Sequence, residues 1–489
     1  MSGLLERARS VFKRKPRDDE DDFDDGFDER DERDLDEQDA RDGRNERGPI
    51  SPVVGPNGIV QSHPQQPHHG QPHHSQPQHH NSRPGQHQNG PRHQQAQTGD
   101  GQQPLAQVSA TRSGQLEIAL HNDTNSSTVF AYITGQAIDR GNALFLLSSD
   151  AETPYYPGSP SATGTKLAQN VSIDLGIPGN TVYATIPRLA GGRIWFSVGA
   201  PLQFAVNPGP GLIEPSVFNQ ADPNHNVNFG FAEFTFNSAQ VFVNISYVDF
   251  VGLPVALTLE DTNGTTQHVS GMRANGLETV AQGLRTQTAK DGRRWSSLIV
   301  PRTDGQVLRV LSPNSGVLLN PSWFQTYWTD YVSAVYSRYT STRLTIDTQA
   351  SYGNVTGQVD GSRNLNFGAG GQFPRPSASD IFSCSTGPFA TGGNGETNAI
   401  IPRLAAAFNR STLLQSSNHP DGVGPRDYYK NATTNHYARI VHAANLDGKG
   451  YAFPYDDVTP DGGVPQEGAA FSYSPALLTV SVGGRNAHT

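Results

Sequence analysis

Short runs of alternating apolar and polar residues dominate the chain from Gln115 to about residue 262. Examples are LEIALHN, STVFAYITG, TVYATI and RIWFSV, which are rich in β-branched and aromatic residues and are separated by Gly, Pro, Asn and Asp. Alternation with a period of two predicts strands that bury one face. This part of the chain is therefore predicted to form a β-sandwich or a β-barrel.

The apolar period changes after residue 262. The segments 276–287, 322–339 and 401–414 carry apolar residues at spacings of three and four, which predicts helices. Strand-like LRVL, RLTIDTQ and NVTGQV lie between them, and HYARIVHAAN, YAFPY and ALLTVSV then return to a β pattern. We therefore predict a β domain formed by residues 113–262 and 430–484. A mixed α/β domain, residues 263–429, is inserted between its two parts, and ligand clefts commonly form at such domain interfaces.

The first 112 residues have the composition of a disordered tail. Asp, Glu and Arg predominate from Asp18 to Glu46, and Gln, His, Pro and Gly predominate from Ser51 to about Gln103. Neither stretch has the apolar content that offsets the entropy of ordering. Residues 3–15 carry apolar and basic side chains at helical spacing, which is typical of a helix that contacts a membrane surface or a partner, and the alternative is a frayed, solvated end.

The tail also contains nine of the 16 histidines, between residues 51 and 103. Such a tract can bind transition metals adventitiously, but it has no Cys or acidic residues at fixed offsets that would specify a tetrahedral site. We therefore predict neither a specific metal site nor a cofactor.

Charge and cysteine content exclude several classes of protein. The formal net charge is -10, and residues 1–48, with 18 acidic and 11 basic side chains, contribute -7 of it, which leaves a nearly neutral remainder with no general attraction to nucleic acid. Cys384 is the only cysteine, so an intrachain disulfide framework is excluded. The sequence begins without a classical signal peptide, and no apolar run approaches the roughly 20 residues that span a bilayer. We expect a monomer that is cytoplasmic or is exported unconventionally to the cell wall.

The stretch FAEFTFNSAQVFVNISYVDF, residues 231–250, predicts a hairpin that carries two acids. Glu233 and Thr235 alternate with apolar residues, and a turn at NSA would bring Asp249 back toward Glu233. Strict alternation would place Asp249 on the apolar side, and a bulge between Ser246 and Asp249 would turn it to the polar side. Two carboxyl groups beside a polar groove are what glycoside hydrolysis requires, although acids on a solvent-facing strand are also ordinary.

Several longer segments resemble a known family. They include LQFAVNPGPGLIEPSVFN, VNISYVDFVGLPVALTL, DIFSCSTGPFA and TNHYARIVHAANLDGKGYAFPYDDV, and they follow in order from about residue 115 to residue 484. These segments resemble the fungal branch of glycoside hydrolase family sixty-four, the thaumatin-like endo-β-1,3-glucanases. The resemblance implies a mainly β fold with α+β parts, in which a thaumatin-like β-sandwich domain faces the inserted α/β domain across a wide groove that holds a β-1,3-glucan chain.

The same resemblance implies roles for particular residues. Glucan would be hydrolysed to laminarioligosaccharides with inversion of configuration, by Glu233 as general acid and Asp249 as general base, with a water between Asp249 and the anomeric carbon. Eight further residues would bind sugar, namely Thr235, Asn237, Phe242, Ser246, Tyr437, Arg439, Asp456 and Asp457. A buried ion pair is an equal alternative for Arg439 and Asp457. Phe242 and Ser246 stand where bacterial relatives have Trp and Thr.

Three other functions stay open from the residues alone. A non-catalytic, thaumatin-like β-glucan-binding protein is the main alternative, since a fold does not fix chemistry. A scaffold protein whose tail carries the function is the second. A thiol hydrolase would pair Cys384 with His436 or His442, but a lone cysteine between apolar residues is more often a small buried hydrophobe.

Overall fold

The computed structural model describes residues 114–485. The predictions for the tail, residues 1–112, lie outside the described residues. The strands are β1 (Gln115–Asn122), β2 (Val129–Ala137), β3 (Ala143–Leu147), β4 (Pro154–Tyr155), β5 (Thr165–Lys166), β6 (Ile173–Asp174), β7 (Thr181–Pro187), β8 (Leu189–Val198), β9 (Ala205–Asn207), β10 (Gly211–Ile213), β11 (Asn228–Phe236), β12 (Val241–Ile245), β13 (Phe250–Val251), β14 (Val255–Asp261), β15 (Thr266–Val269), β16 (Ile299–Pro301), β17 (Val307–Leu311), β18 (Leu344–Asp347), β19 (Asn354–Val359), β20 (Leu365–Asn366), β21 (Gln372–Phe373), β22 (Asn418–His419), β23 (Ala469–Ser472) and β24 (Pro475–Val482). The helices are α1 (Gly276–Asp291), α2 (Pro313–Leu319), α3 (Thr329–Arg338), α4 (Ala378–Ser383), α5 (Gly395–Asn409) and α6 (His436–Ala444).

Two large sheets form the β part of the fold. The first has the order β15-β14-β24-β1-β7, in which β24 is parallel to β1. The second contains eight strands, with the path β23-β12-β11-β8-β2-β3-β4 and β6 paired to β2. Because β14 of the first sheet contacts β11, β12 and β23 of the second, the sheets pack face to face as a sandwich.

The predicted alternation determines which side of each strand is buried. In β1, Leu116, Ile118 and Leu120 are completely buried, and in β11 Ala232 and Phe234 point into the same sandwich core. Leucine, phenylalanine and β-branched side chains favour a strand when one face of the sheet is covered in this way. The opposite face of the eight-stranded sheet carries the polar side chains described below.

The segment between residues 276 and 409 contains the predicted helices. All three helical predictions are confirmed in type. Helix α1 covers the predicted segment 276–287, and α5 begins six residues before the predicted segment 401–414. Within the predicted segment 322–339, α3 begins only at Thr329 because residues 321–328 form turns. The predicted strands LRVL, RLTIDTQ and NVTGQV correspond to β17, β18 and β19. The residue boundaries of the two proposed domains remain predictions.

Two local predictions were wrong. YAFPY was expected to be β-structured, but only Tyr451 makes an isolated bridge, and the residues that follow form a bend and a turn. HYARIVHAAN was expected to be β-structured, but it forms α6. Tyr437, Ile440 and Val441 are buried at helical spacing, and the side chain of Asn435 accepts a hydrogen bond from the Ala438 amide as an N-cap. Burial against α1 decided between two patterns that this short apolar segment satisfies about equally.

In the described part of the chain, no helix has the length and apolar character that crossing a membrane requires.

Candidate active site

Glu233 lies in the middle of the eight-stranded sheet, on the face that the sandwich core does not cover. It is opposite Arg193 of β8 on one side and opposite Asn244 of β12 on the other. Residues that oppose each other in neighbouring strands point to the same face. The side chain of Glu233 is 30% exposed, which leaves it accessible to a ligand.

Arg193 is the cation of this site. Its Nε and Nη2 donate to Oε1 of Glu233 at 3.2 and 3.1 Å, and its Nη1 donates to Glu214. The guanidinium also lies over the rings of Trp195 and Phe231, at 5.4 and 5.0 Å from their centroids. These contacts fix the orientation of the guanidinium and, through it, the position of Glu233.

The charge of Asp249 acts on the same arginine. Burial lowers the pKa of Arg193, but the carboxylates of Glu214, Glu233 and Asp249 outweigh burial and raise that pKa above its usual range. The charges of Glu233 and Asp249 therefore both act on one cation, and the catalytic roles of the two acids stay a prediction.

The chain reaches Asp249 by leaving the sheet. Strand β12 ends at Ile245, Ser246 bridges to Tyr451, and Val248 and Asp249 form a bend before β13 pairs with β17. The predicted bulge was wrong in its detail, because the segment after β12 no longer pairs with β11 at all. Its backbone bonds go to other partners instead.

Those partners clamp the acid from both sides. The Tyr247 amide donates to the Tyr451 carbonyl at 2.7 Å, and the buried hydroxyl of Tyr437 donates to the Tyr247 carbonyl at 2.6 Å. On the other side, the Ser312 amide at the start of α2 donates to the Asp249 carbonyl at 2.9 Å. Burial, and then the charge of Asp249, raise the pKa of Tyr437. This hydroxyl therefore stays protonated and remains a donor.

Four of the predicted sugar-binding residues lie on or next to the hairpin. Thr235 and Phe242 are opposite each other, on the same face as Glu233, and both are partly exposed. Asn237 accepts hydrogen bonds from the amides of residues 239 and 240 and so holds the turn. Ser246 is only 6% exposed, and its buried hydroxyl has no hydrogen-bond partner among residues 114–485.

The other four predicted binding residues need correction or remain untested. Asp456 and Tyr437 are fully buried, which removes them from contact with a glucan in this structure. Arg439 bonds to His436 and to Gln287 of α1, so it joins the two helices and does not enter the ion pair that was the alternative. Asp457 is partly exposed and accepts a hydrogen bond from the Tyr451 hydroxyl at 3.1 Å, so its predicted sugar contact stays a prediction.

The buried ion pair instead belongs to Asp456. Arg410 donates to Oδ1 of Asp456 at 3.0 Å, His442 Nε2 lies 3.0 Å from Oδ2, and the Ala452 amide also donates to Oδ2. Burial alone would raise the pKa of Asp456, but His442 and Arg410 outweigh it and hold the pKa below its usual value. This network supports the turn that carries Asp457.

Sequence reasoning missed three residues of this region. The alternation in RIWFSV places Arg193 on a polar face and could have indicated it, whereas Glu214 and Glu467 lie in loops where no pattern marks them. Burial, followed by the charges of Asp457 and Asp456, raises the pKa of Glu467 to about 7. Its Oε2 atom is buried and has no hydrogen-bond partner in the part of the chain that the structure describes. Glu467 precedes Gly468, whose carbonyl accepts a hydrogen bond from the Ile245 amide.

Two other groups of chemically reactive side chains are not part of this site. Asp347, Asp421 and Asp461 place carboxylate oxygens within 4.8 Å of one another, which is common among exposed acids without a metal. Cys384 is completely buried, and burial raises the pKa of its thiol far above the usual value. A thiol that stays protonated is not a nucleophile, so the thiol-hydrolase alternative has no support.

Paired carboxylic acids on the open face of a β-sandwich are an arrangement that one class of protein, the glycoside hydrolases, uses. The sequence profile of family 64, whose members are described as β-1,3-glucanases, matches residues 114–482. The chain belongs to this family.

Individual relatives agree with the family assignment. The chain is 30% identical over 285 residues to a glucan endo-1,3-beta-glucosidase of Cellulosimicrobium cellulans, a match that covers 57% of this chain and 50% of that protein. It is 29% identical over 285 residues to the enzyme of the same description from Arthrobacter sp. (strain YCWD3). The chain thus spans about half the length of these two relatives, 50% of each.

Solved structures support the fold. A laminaripentaose-producing β-1,3-glucanase in complex with laminaritetraose superimposes with a TM-score of 0.67 at 29% identity, covering 76% of this chain and 98% of that one. A β-1,3-glucanase domain from Clostridium beijerinckii superimposes with a TM-score of 0.59 at 22% identity, which supports the fold alone.

Proposed function

We propose that this protein is an endo-β-1,3-glucanase that hydrolyses β-1,3-glucan to laminarioligosaccharides. The observation that carries this proposal is the pair of hydrogen bonds from Arg193 to Glu233 on the open face of a family 64 fold, with the charge of Asp249 acting on the same arginine. Membership of the family, and the laminaritetraose bound by the structural relative, support a β-1,3-linked glucan as the substrate class.

Glu233 is proposed to be the general acid. Both hydrogen bonds from Arg193 go to Oε1 of Glu233, which leaves Oε2 as the oxygen that carries a proton to the glycosidic oxygen. Protonation of that oxygen lets the departing sugar leave as a neutral alcohol. Arg193 forms ion pairs with both Glu233 and Glu214, so it orients Glu233 while its charge is shared with a second carboxylate.

Asp249 is proposed to be the general base. It removes a proton from a water that attacks the anomeric carbon from the side opposite the leaving group, which inverts the configuration. In inverting enzymes the two carboxyl groups are about 6.5–9.5 Å apart, because this water has to fit between them. The bend at Asp249 and its clamped flanks supply the fixed position that such a base requires.

Finer assignments also belong to this proposal. We infer a thaumatin-like sandwich and a place in the fungal branch of the family, supported by the two packed sheets and by the segments quoted above. Thr235 and Phe242, which are partly exposed, are proposed to bind the sugar rings next to the acids, whereas the buried hydroxyl of Ser246 is not part of this proposal. We also propose that the enzyme is a monomer. For its location, we propose a cell-associated enzyme that is cytoplasmic or unconventionally exported.

Proton NMR of anomeric signals tests the proposal directly. The full-length protein is mixed with a linear β-1,3-glucan, and spectra are recorded before mutarotation mixes the anomers. Early appearance of the α-anomer is expected from inversion. Early β-anomer would contradict the roles of Glu233 and Asp249, and glucan that is bound without new reducing ends would favour a non-catalytic binding protein.

A further inference from the structure

Strand β23 carries two large aromatic side chains that are open to solvent. Phe471 is 41% exposed and Tyr473, just past the end of the strand, is 62% exposed. Their ring centroids are 5.9 Å apart in an edge-to-face arrangement. Exposed aromatic rings that occur together mark a binding surface more often than rings that occur singly.

The register connects these rings to the proposed active site. Phe471 is opposite Phe242, and Phe242 is opposite Thr235, which is two residues from Glu233 on the same face. The alternate residues of β23, Ala470 and Ser472, are buried in the sandwich. Neighbouring strands are about 4.8 Å apart, so Phe471 lies roughly 10 Å from β11 across the sheet. Thr235, Phe242 and Phe471 thus form a row that leads away from the acids.

Hydrogen bonds to its backbone fix Phe471 in place. Gln267 of β15 accepts a hydrogen bond from the Phe471 amide at 3.3 Å and donates to the Phe471 carbonyl. Since these groups bond to Gln267, Phe471 and Phe242 form a non-hydrogen-bonded pair, in which opposing side chains come closest. Gln267 also occupies the free edge of β23 at this residue, which opposes the addition of another strand there.

A glucan has the chemistry that such a surface fits. A pyranose ring presents C–H groups on its faces and hydroxyl groups at its rim, so it can lie on an aromatic ring while its hydroxyls stay in water or bond to residues such as Thr235. Aromatic side chains provide large contact area with few rotatable bonds, which keeps the entropic cost of binding low.

We propose that Phe471 and Tyr473, which we name the β23 platform, form a remote glucosyl-binding subsite that continues the groove from Thr235 and Phe242. The inference rests on the proposed function, because its ligand is a part of the same β-1,3-glucan chain. The β23 platform makes the enzyme prefer long chains: only an oligosaccharide that extends over several sugars from the cleavage point reaches it.

Steady-state kinetics on two substrates test the platform. The full-length protein, Phe471→Ala, Tyr473→Ala and the double variant are compared on a long linear β-1,3-glucan and on a short laminarioligosaccharide. Each substitution should lower kcat/KM for the long chain by about fivefold, in keeping with the range for a single aromatic contact, and should lower it less for the short one. The loss should appear mainly in KM, because the rings are remote from the reacting atoms.

Tyr183→Ala is the matched control. Tyr183 is an equally exposed aromatic residue, 57% exposed, but it lies on β7 at the edge of the other sheet. This variant should match the parent protein on both substrates. Equal losses on the long and short substrates, or an equal loss in Tyr183→Ala, would overturn the subsite.

Binding measurements separate this inference from the proposed activity. Affinity for soluble long-chain glucan is measured in the Glu233→Gln background with and without Phe471→Ala. If the parent protein releases no reducing ends but Phe471→Ala still weakens glucan binding, the activity fails and the platform stands. If hydrolysis proceeds and Phe471→Ala leaves affinity unchanged while altering the sedimentation coefficient, the rings contact a second copy of the chain and the platform fails.

Discussion

Glu233 accepts two hydrogen bonds from Arg193, and both reach the same carboxylate oxygen. The Nη1 atom of the same guanidinium donates to Glu214, and the charge of Asp249 also acts on Arg193. One cation thus bonds to two acids and interacts with the charge of a third, which offsets the repulsion among the carboxylates.

Replacing either proposed catalytic acid should abolish turnover while leaving the glucan bound. Glu233→Gln and Asp249→Asn keep the shape of each side chain but remove its ability to transfer a proton, and general acid or base catalysis contributes about 10²-fold or more. Initial rates of reducing-end release and glucan affinity are measured for both. A variant that keeps more than about a tenth of the parent rate would contradict its assigned role.

Replacing Arg193 should change the pH dependence of hydrolysis. Arg193→Lys keeps a positive charge, but an ammonium cannot bond in two directions with a fixed fork as the guanidinium does. In Arg193→Gln the ionised form of Asp249 loses a neighbouring positive charge, so the acid limb of the kcat/KM profile should move to higher pH. Profiles for the two variants are compared with that of the parent. Identical profiles for all three would show that Arg193 has no electrostatic effect on the reaction.

Tyr437→Phe should lower kcat by loosening the segment that carries Asp249. The substitution leaves the Tyr247 carbonyl without its donor, a buried loss of about 1–3 kcal/mol in the free energy of unfolding. Tyr327→Phe is the control, because the Tyr327 hydroxyl donates to the buried Thr434 carbonyl at 2.9 Å and accepts from the Thr434 amide at 3.1 Å. It should lose at least as much stability as Tyr437→Phe in denaturant titrations, but only Tyr437→Phe should lose rate at full folding. Equal rates in the two variants would remove the positioning role of Tyr437.

Glu467 should make the protein less stable as the pH rises. Its pKa is about 7 in the folded protein against a usual value of 4.5, so between these values the folded state holds a proton that the unfolded state has released. The free energy of unfolding therefore falls as the pH rises through this window, by on the order of 3 kcal/mol in total, and the loss is complete above pH 7. Below pH 4.5 both states are protonated, so the free energy of unfolding no longer changes with the ionisation of Glu467 and keeps its full value.

Glu467→Gln tests that slope. An amide keeps the size of the side chain and cannot ionise, so the free energy of unfolding of this variant should fall less between pH 5 and pH 8 than that of the parent, by roughly the same amount. Urea titrations at several pH values measure both curves. Parallel curves would show that Glu467 ionises normally in the folded protein.

Asp456→Asn should act on stability and not on sugar binding. The substitution leaves Arg410 buried without its counter-ion, and breaking a buried pair in this way typically costs about 3–5 kcal/mol. Tm should therefore fall strongly, while KM of the remaining folded protein stays close to the parent value. A raised KM at unchanged Tm would instead restore the original prediction that Asp456 contacts the glucan.

Local patterns in the sequence determined most strands, the helices α1, α3 and α5, and the side of β11 that carries Glu233. These features depend on periodicity over a few residues, because neighbours along the chain decide which face of a strand or helix is apolar. The same reasoning raised the pairing of Glu233 with Asp249 as a hypothesis, and the resemblance to the family supplied their proposed roles. The segment of α6 was mistaken because a short apolar run fits either period.

Tertiary structure alone decided the remainder of the site. The position of Asp249 depends on the hydrogen bond between Tyr437 and Tyr247, which are 190 residues apart in sequence. Asp456 is buried with Arg410 and His442 in a network that no alternation indicates. Burial and long-range hydrogen bonds are properties of the packed chain, and a polar residue in a loop has the same local signature whether it binds a ligand or supports a turn. For that reason the sequence indicated the two proposed acids, and only the fold determined their neighbours.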